Sequence, residues 1–389
     1  MESTNNILII GGGASGLMCA LTACKKGKSV TILEGAFKVG KKILASGNGR
    51  CNLTNKNITK ASYNNYPVQL TKFNNFKTLE IFNGLGLETY FDEEGRCYPV
   101  ANHSTAVLDV LVNALKQYKC NIVTNCMVKN ITKQNEVFKV ETSQGEFFAP
   151  QVVVATGGNT MAGVLNGFNI SFKKFMPSLC GLKTIENTKL IAGIRQNVLV
   201  TLNTQNFSCS DKGEVIFRED GVSGICIFNL SSKLNWFGQT KATLSLNLMP
   251  DKTLDEIVEM LKVRQSRLHG LNAINFFDGL FINNMGQELL NRCKINLQTP
   301  ISKLTEKNLV ALAKTISALK FNVSEMLANN QVHHGGVQLS ELTDGLESKK
   351  IKGLFFCGEV VNVDGLCGGF NLQWAWSSGQ AVGESLWLN

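Results

Sequence analysis

The chain has 389 residues, enough for two or three domains and a full-sized buried core. Hydrophobic residues at 44% against charged residues at 18% exclude a disordered chain. The formal charge of +9 comes from scattered lysines without a dense basic run or aromatic-basic alternation, so nucleic acid is disfavoured as a partner and a small molecule is expected.

Twelve cysteines without paired Cys-x-x-Cys spacing read as reduced thiols in a cytoplasmic setting, with no disulfide framework and no metal site. The first residues lack the basic start and cleavage site of a signal peptide, and no apolar stretch is long enough to cross a bilayer. Export and membrane spanning are therefore not expected.

Residues 7–10 form a wholly apolar run, the pattern of a parallel strand buried on both faces. Gly11, Gly13, Ala14, Ser15 and Gly16 fall in the turn and helix start that follow. Gly11 permits the tight turn, Gly13 lets backbone approach a pyrophosphate, and Gly16 lets the helix pack closely on the sheet. A phosphate is expected at this helix N-terminus, where unpaired amides and the macrodipole favour an anion. Residues 29–33 form a second apolar strand ending at Glu34, the spacing at which an acid takes ribose hydroxyls. Cys19 and Cys24 lie five apart in the first helix, on different faces, and read as packing thiols.

Residues 39–55, VGKKILASGNGRCNLTN, have a Gly, Ser and Asn content that argues against a regular helix and suits either a backbone-rich ligand loop or a solvated turn. Residues 93–111, EEGRCYPVANHSTAVLDVL, place Tyr98-Pro99 at a strand end before a helix beginning near Ser104. Strands are expected over 120–128 and 137–141, and over the apolar run that enters Ala155-Thr156-Gly157-Gly158. Residues 197–203 and 241–249 alternate as antiparallel strands do. Residues 253–268 carry a helix cap, early acids and helical spacing, with further helices to about Leu319. Residues 353–357 make one more buried strand before Gly358-Glu359, and a helix follows from Phe370. Trp374 and Trp376 in that helix read as packing.

The segment at 39–55 and the run IKGLFFCGEVVNVDGLCGGFNLQWAWSSG at 351–379 resemble the BaiN-like flavoproteins, the aminoacetone-oxidase-type NAD(P)/FAD-dependent oxidoreductases. The resemblance implies FAD as cofactor and an α/β Rossmann-like domain of the two-dinucleotide-binding type, discontinuous over 1–182 and 322–389. An inserted antiparallel β subdomain at 183–250 and a helical cap at 251–321 would complete the chain. By the same resemblance Lys42, Ser46, Gly49, Arg50, Cys51 and Asn52 are flavin contacts, backbone at Met127 and Val128 clasps adenine, and Ala155, Thr156 and Gly157 lie near the cofactor. Gly358 and Glu359 resemble the closing flavin motif, followed by Asp364, Gly368, Gly369, Phe370, Asn371, Leu372 and Gln373 at a helix whose N-terminal amides would favour the electron-rich reduced ring.

The segment around Arg96 and Tyr98 is similar to the family's Gly-Arg-x-Phe-Pro, and these two residues either face substrate or simply end a strand. The chain departs from the family where Arg218-Glu219 replace a Thr-His pair, where the loop after Gly158 is shortened, and where His333-His334-Gly335-Gly336 stands for Val-Thr-x-Gly-Gly. Either histidine could protonate or orient substrate, or else satisfy a turn. The resemblance implies hydride transfer to a polarised C=C bond of an enone, with NAD(P)H docking transiently as donor because no second glycine fingerprint marks a nicotinamide domain. An oxygen-using amine oxidase, and a flavin-carrying RNA-binding or redox-sensing protein, are the competing readings. Oligomeric state is left open.

Overall fold

The computed structural model describes residues 6–158, 168–328 and 331–387. The chain divides into two compact units, Met1–Met176 with Asn330–Asn389, and Pro177–Asn329.

The first unit is built on a five-stranded parallel sheet in the order Leu354–Phe356, Gln151–Val154, Asn6–Ile10, Ser29–Leu33, Asn121–Val123. The register pairs Leu8 with Val152 and Thr31, and Val152 in turn with Leu354. A strand from the far end of the chain thus lies beside the strands of the first half. Ile7, Leu8, Ile9 and Ile10 are all buried, as an all-parallel sheet covered on both faces requires. Helix Ala14–Lys25 packs against the C-terminal helix Phe370–Ser385 so closely that a Cβ on Gly379 would stand 2.5 Å from the Ser15 carbonyl oxygen. Cys19 and Cys24 are buried packing thiols, and none of the twelve cysteines is in a disulfide.

Two local expectations are corrected. The strand expected over 120–128 breaks after Val123: Asn125 takes a left-handed φ of 54°, and the chain restarts at Val128 in an antiparallel sheet of Val128–Gln134, Val137–Thr142 and Gly145–Ala149. Residues 39–55 do contain a short helix, Lys41–Ala45, because Lys, Ile, Leu and Ala supply one good turn and Ile43 is fully buried.

The second unit is a closed six-stranded antiparallel barrel in the order Leu182–Thr184, Gly221–Ser223, Ser208–Arg218, Arg195–Asn203, Ala242–Asn247, Leu319–Met326. Val198, Val200 and Leu202 alternate inward, as do Leu244, Leu246, Phe321 and Val323. Helix Leu254–Arg267 begins at the expected cap, Thr253, whose hydroxyl accepts from Glu256 N while the Glu256 carboxylate accepts from Thr253 N. The expected separation of a β piece at 183–250 from a helical piece at 251–321 does not hold. Leu261, Leu289 and Leu312 from the helices share one core with the barrel. The sixth strand comes after the helices, so the unit runs past 321 and its ends fall at 177 and 329.

No helix among the described residues is long and apolar enough to cross a membrane. Among them no three or more His, Cys, Asp or Glu side chains are gathered as a metal site would need.

Candidate functional site

The glycine turn is shaped by backbone approach. Gly11 has φ 105°, and a Cβ there would stand 2.5 Å from the Ala155 carbonyl oxygen; one on Gly16 would stand 2.0 Å from the Gly11 carbonyl oxygen. A Cβ on Gly13 would meet nothing within 4 Å, so the front of helix Ala14–Lys25 is open at its N-cap. The first-turn amides of a helix have no intrahelical acceptor, and Gly13, Ala14, Ser15 and Gly16 present theirs at this opening. Glu34 ends the second strand as expected, and its carboxylate accepts from Gly12 N at 2.7 Å and Ala36 N at 2.7 Å. Cys126 N donates to the Glu34 carbonyl at 2.8 Å, bringing the half-exposed Met127 and then Val128 next to that acid. These features fit a dinucleotide: an open cradle for the pyrophosphate, an acid for a ribose, and exposed backbone beside it for a base.

The loop that carries Lys42, Ser46, Gly49, Arg50, Cys51 and Asn52 is tied to the C-terminal helix. Gly47, Asn48, Gly49 and Cys51 all have positive φ, and Cys51 N returns to the Ser46 carbonyl at 3.0 Å. With its amide assigned so that oxygen and nitrogen each face a suitable partner, Asn52 donates to the Thr54 carbonyl at 3.0 Å and accepts from Gly369 N at 3.2 Å. The Asn55 amide donates to the Gly368 carbonyl at 2.8 Å. Burial pushes the Cys51 thiol up to about 12, so it is a packing group. The Arg50 guanidinium lies 4.4 Å from the Tyr98 ring centroid.

Past Gly369 the helix begins with Phe370, Asn371, Leu372 and Gln373. The Phe370 carbonyl accepts from the Tyr63 hydroxyl at 2.9 Å, and Asn371 closes the preceding loop through Gly365 N and O. Gln373 is fully buried and its side chain is spent within the protein: Oε1 accepts from Thr54, and Nε2 donates to the Phe73 carbonyl, Thr78 and Ser377. What Gln373 offers a ligand is helix position, not its amide. Trp374 and Trp376 are buried and donate to the Gly358 and Leu53 carbonyls, the packing role expected of them.

Glu359 gathers the other segments. Its carboxylate meets Lys42 Nζ at 2.5 Å, Gly158 N at 3.1 Å and His333 N at 2.6 Å, with His333 Nδ1 at 3.3 Å. Burial alone would raise this carboxyl, but the His333 bond and the Lys42 ammonium outweigh it and hold it at about 2. Ala155, Thr156 and Gly157 lead directly into this cluster, a Cβ on Gly157 lying 3.4 Å from Glu359 Oε2. The shortened loop after Gly158 runs into residues 159–167, outside the described residues.

The two adjacent histidines diverge onto two acids. His334 Nδ1 lies 2.6 Å from Asp364 Oδ1, with both residues buried. These pairings, and the Asn64 bonds that brace Asp364, were not read from the sequence; the available signal was a His-His pair in an extended run upstream of two acids. Arg96 is engaged elsewhere: its guanidinium holds Asp92 at 2.7 Å and also Glu94, inside its own hairpin. Tyr98 is buried between Arg50 and Tyr90, and burial raises its hydroxyl above the usual range. The strand-end reading of this pair accounts for what both side chains do.

The HI0933-like protein Rossmann domain family matches residues 5–385. A 3-dehydro-bile acid delta(4,6)-reductase from Clostridium scindens is 30% identical to the chain, over 98% of each. Ribosomal RNA dihydrouridine synthases from Escherichia coli, covering 97% of each chain, and Haemophilus influenzae, covering 99% of each, are both 26% identical.

Proposed function

Because the chain belongs to the HI0933-like Rossmann family, as a BaiN-like flavoprotein oxidoreductase, we propose that it saturates a C=C bond conjugated to a carbonyl in a small, steroid-like enone, with FAD as cofactor and NAD(P)H as electron donor. The observation that carries this reading is the 30% identity to the bile acid reductase along essentially the whole chain. The name dihydrouridine synthase implies the same bond type, since dihydrouridine is uridine with its carbonyl-conjugated double bond saturated.

In this reading Gly11, Gly13, Ala14, Ser15 and Gly16 hold the pyrophosphate, Glu34 the adenosine ribose, and Met127 and Val128 the adenine. The loop from Lys42 to Asn52, residues 155–157 and 358–359, and the loop from Asp364 to the start of helix Phe370–Ser385 surround the flavin. Bound FAD supplies hydride transfer. The sixteen-residue helix contributes positive partial charge at its N-terminus, which favours an electron-rich ring. Glu359 stays ionised and keeps Lys42 in place.

The 26% identity to the RNA enzymes along nearly the whole chain favours a second reading, with a uracil in RNA as the acceptor. The test takes FAD-loaded protein, reduces it anaerobically, and offers in turn a 4-en-3-one steroid and a uridine-containing RNA. Reoxidation by the steroid with a saturated product is expected. Reoxidation by the RNA alone would transfer the reading to nucleic acid. Bleaching of the oxidised protein by a primary amine, with peroxide release in air, would replace both with an oxidase.

A further inference from the structure

We propose that His334 delivers the proton that completes saturation of the double bond, and that Asp364 is its positioning residue. The proposal rests on the reductase reading above. His334 stands in strand Val332–Val337, where alternation sends neighbouring side chains to opposite faces. His333 goes to Glu359, already held by Lys42 and Gly158, and its ring packs edge-on against Phe175. His334 goes to Asp364, and the two are 2% and 1% exposed.

The decisive atom is His334 Nε2. It is buried and has no protein partner among the described residues. Buried polar atoms in native proteins are nearly always bonded, so one left over in a ligand-binding region points to a bonding partner on the ligand. Near-complete burial and the 2.6 Å contact of Nδ1 with Asp364 hold the ring, and the backbone that follows it is fixed. Gly335 and Gly336 have φ of 116° and 110°, and Cβ atoms there would stand 2.5 Å from the Lys174 carbonyl oxygen and 2.3 Å from that of Val360. Asp364 is fixed as well, its N–H donating to Asn64 Oδ1 at 2.9 Å and its carbonyl accepting from Asn64 N at 3.0 Å.

With Nδ1–H donated to an ionised Asp364, a proton on Nε2 makes the ring an imidazolium that the carboxylate stabilises. The step then balances. Reduced FAD, when bound, would supply the hydride for the new C–H bond at the β carbon and would give up two electrons in doing so, and the π pair of the substrate would shift toward its carbonyl as an enolate. The Nε2–H bond breaks, its proton forms the C–H bond at the α carbon as the enolate collapses to the ketone, and the imidazole regains a proton from solvent. Other charged groups on the elements packed against this strand are Lys173 and Lys174 on Phe172–Ser178, and Glu359 on the turn Gly358–Val360, which is paired with Lys42 of helix Lys41–Ala45.

The test compares FAD-loaded wild type, His334→Gln and Asp364→Asn in separate half-reactions. His334→Gln is expected to keep its FAD and its rate of reduction, while its reoxidation by a 4-en-3-one steroid slows by roughly 10²–10⁴-fold. Asp364→Asn is expected to move the alkaline fall of the same half-reaction to lower pH, which loss of packing alone would not do. Because the steroid arm also depends on the reductase reading, binding of a para-substituted phenol, an enolate mimic, is followed by its charge-transfer band. Wild type should bind it at least about tenfold more tightly than His334→Ala, since a charge-assisted hydrogen bond is removed. If wild type is not reoxidised by the steroid, the reductase reading fails and the phenol arm alone decides for or against His334 as the ligand-facing donor. Unchanged reoxidation in His334→Gln, or loss of FAD from both His334→Gln and His334→Asn, overturns the proposal.

Discussion

The turn at Gly11–Gly16 and the strand Val332–Val337 both rely on glycine, but they use it differently. In the turn the missing Cβ atoms are the site: they let backbone approach backbone and leave an open helix N-terminus at Gly13. In the strand Gly335 and Gly336 only clamp the chain, and what sets it apart is the contact of His333 with Glu359 and of His334 with Asp364. Backbone-built sites announce themselves in a sequence because few residues can fill them. Side-chain-built sites depend on partners dozens of positions away.

Substitutions can break that contrast, beginning with the largest effect. Gly16→Val should cost about 3 kcal/mol or more and abolish FAD retention, because its Cβ would stand 2.0 Å from the Gly11 carbonyl oxygen. Thermal unfolding and the flavin-to-protein ratio measure this, and normal retention would refute the close-packing role. Next comes Glu359, whose folded-state value falls from 4.5 to about 2. A depressed carboxyl adds stability that is present above its unfolded value and lost as pH falls through its folded one, here roughly 3 kcal/mol between about pH 5 and pH 2. Denaturant titrations across that window should therefore show a shallower acid loss for Glu359→Gln than for wild type. Gln373→Leu removes the partner of the Thr54 and Thr78 hydroxyls, while Ser377 still donates to the Phe73 carbonyl, and should cost about 2 kcal/mol. A drop in unfolding midpoint without altered hydride-transfer rate would confirm that its amide is structural. Arg96→Ala, in its own hairpin, should cost less than about 1 kcal/mol and leave turnover intact; a large fall in kcat would restore it to the substrate face.

Legibility followed the same division. The strands at 7–10 and 29–33, Glu34, the Thr253 cap and the helix from Phe370 were all readable, because local pattern and backbone geometry dictate them. The helix Lys41–Ala45 was hidden by its Gly-, Ser- and Asn-rich neighbours. Strand Leu319–Met326 was hidden because it follows a helical run and its barrel partners, Ala242–Asn247 and Leu182–Thr184, lie far back in the chain. The carboxylate partners of the histidines had no local signal, since His334 and Asp364 are 30 residues apart on separate elements.

The central claim is that two distant ends of the chain build one flavin site that reduces conjugated double bonds. Its most direct test is the flavin spectrum of the FAD-reconstituted protein during anaerobic addition of NAD(P)H and then of a 4-en-3-one steroid. One FAD per chain is expected, with bleaching by the nucleotide and recovery of the oxidised spectrum as the saturated ketone forms. A protein that cannot be loaded with FAD would contradict the claim.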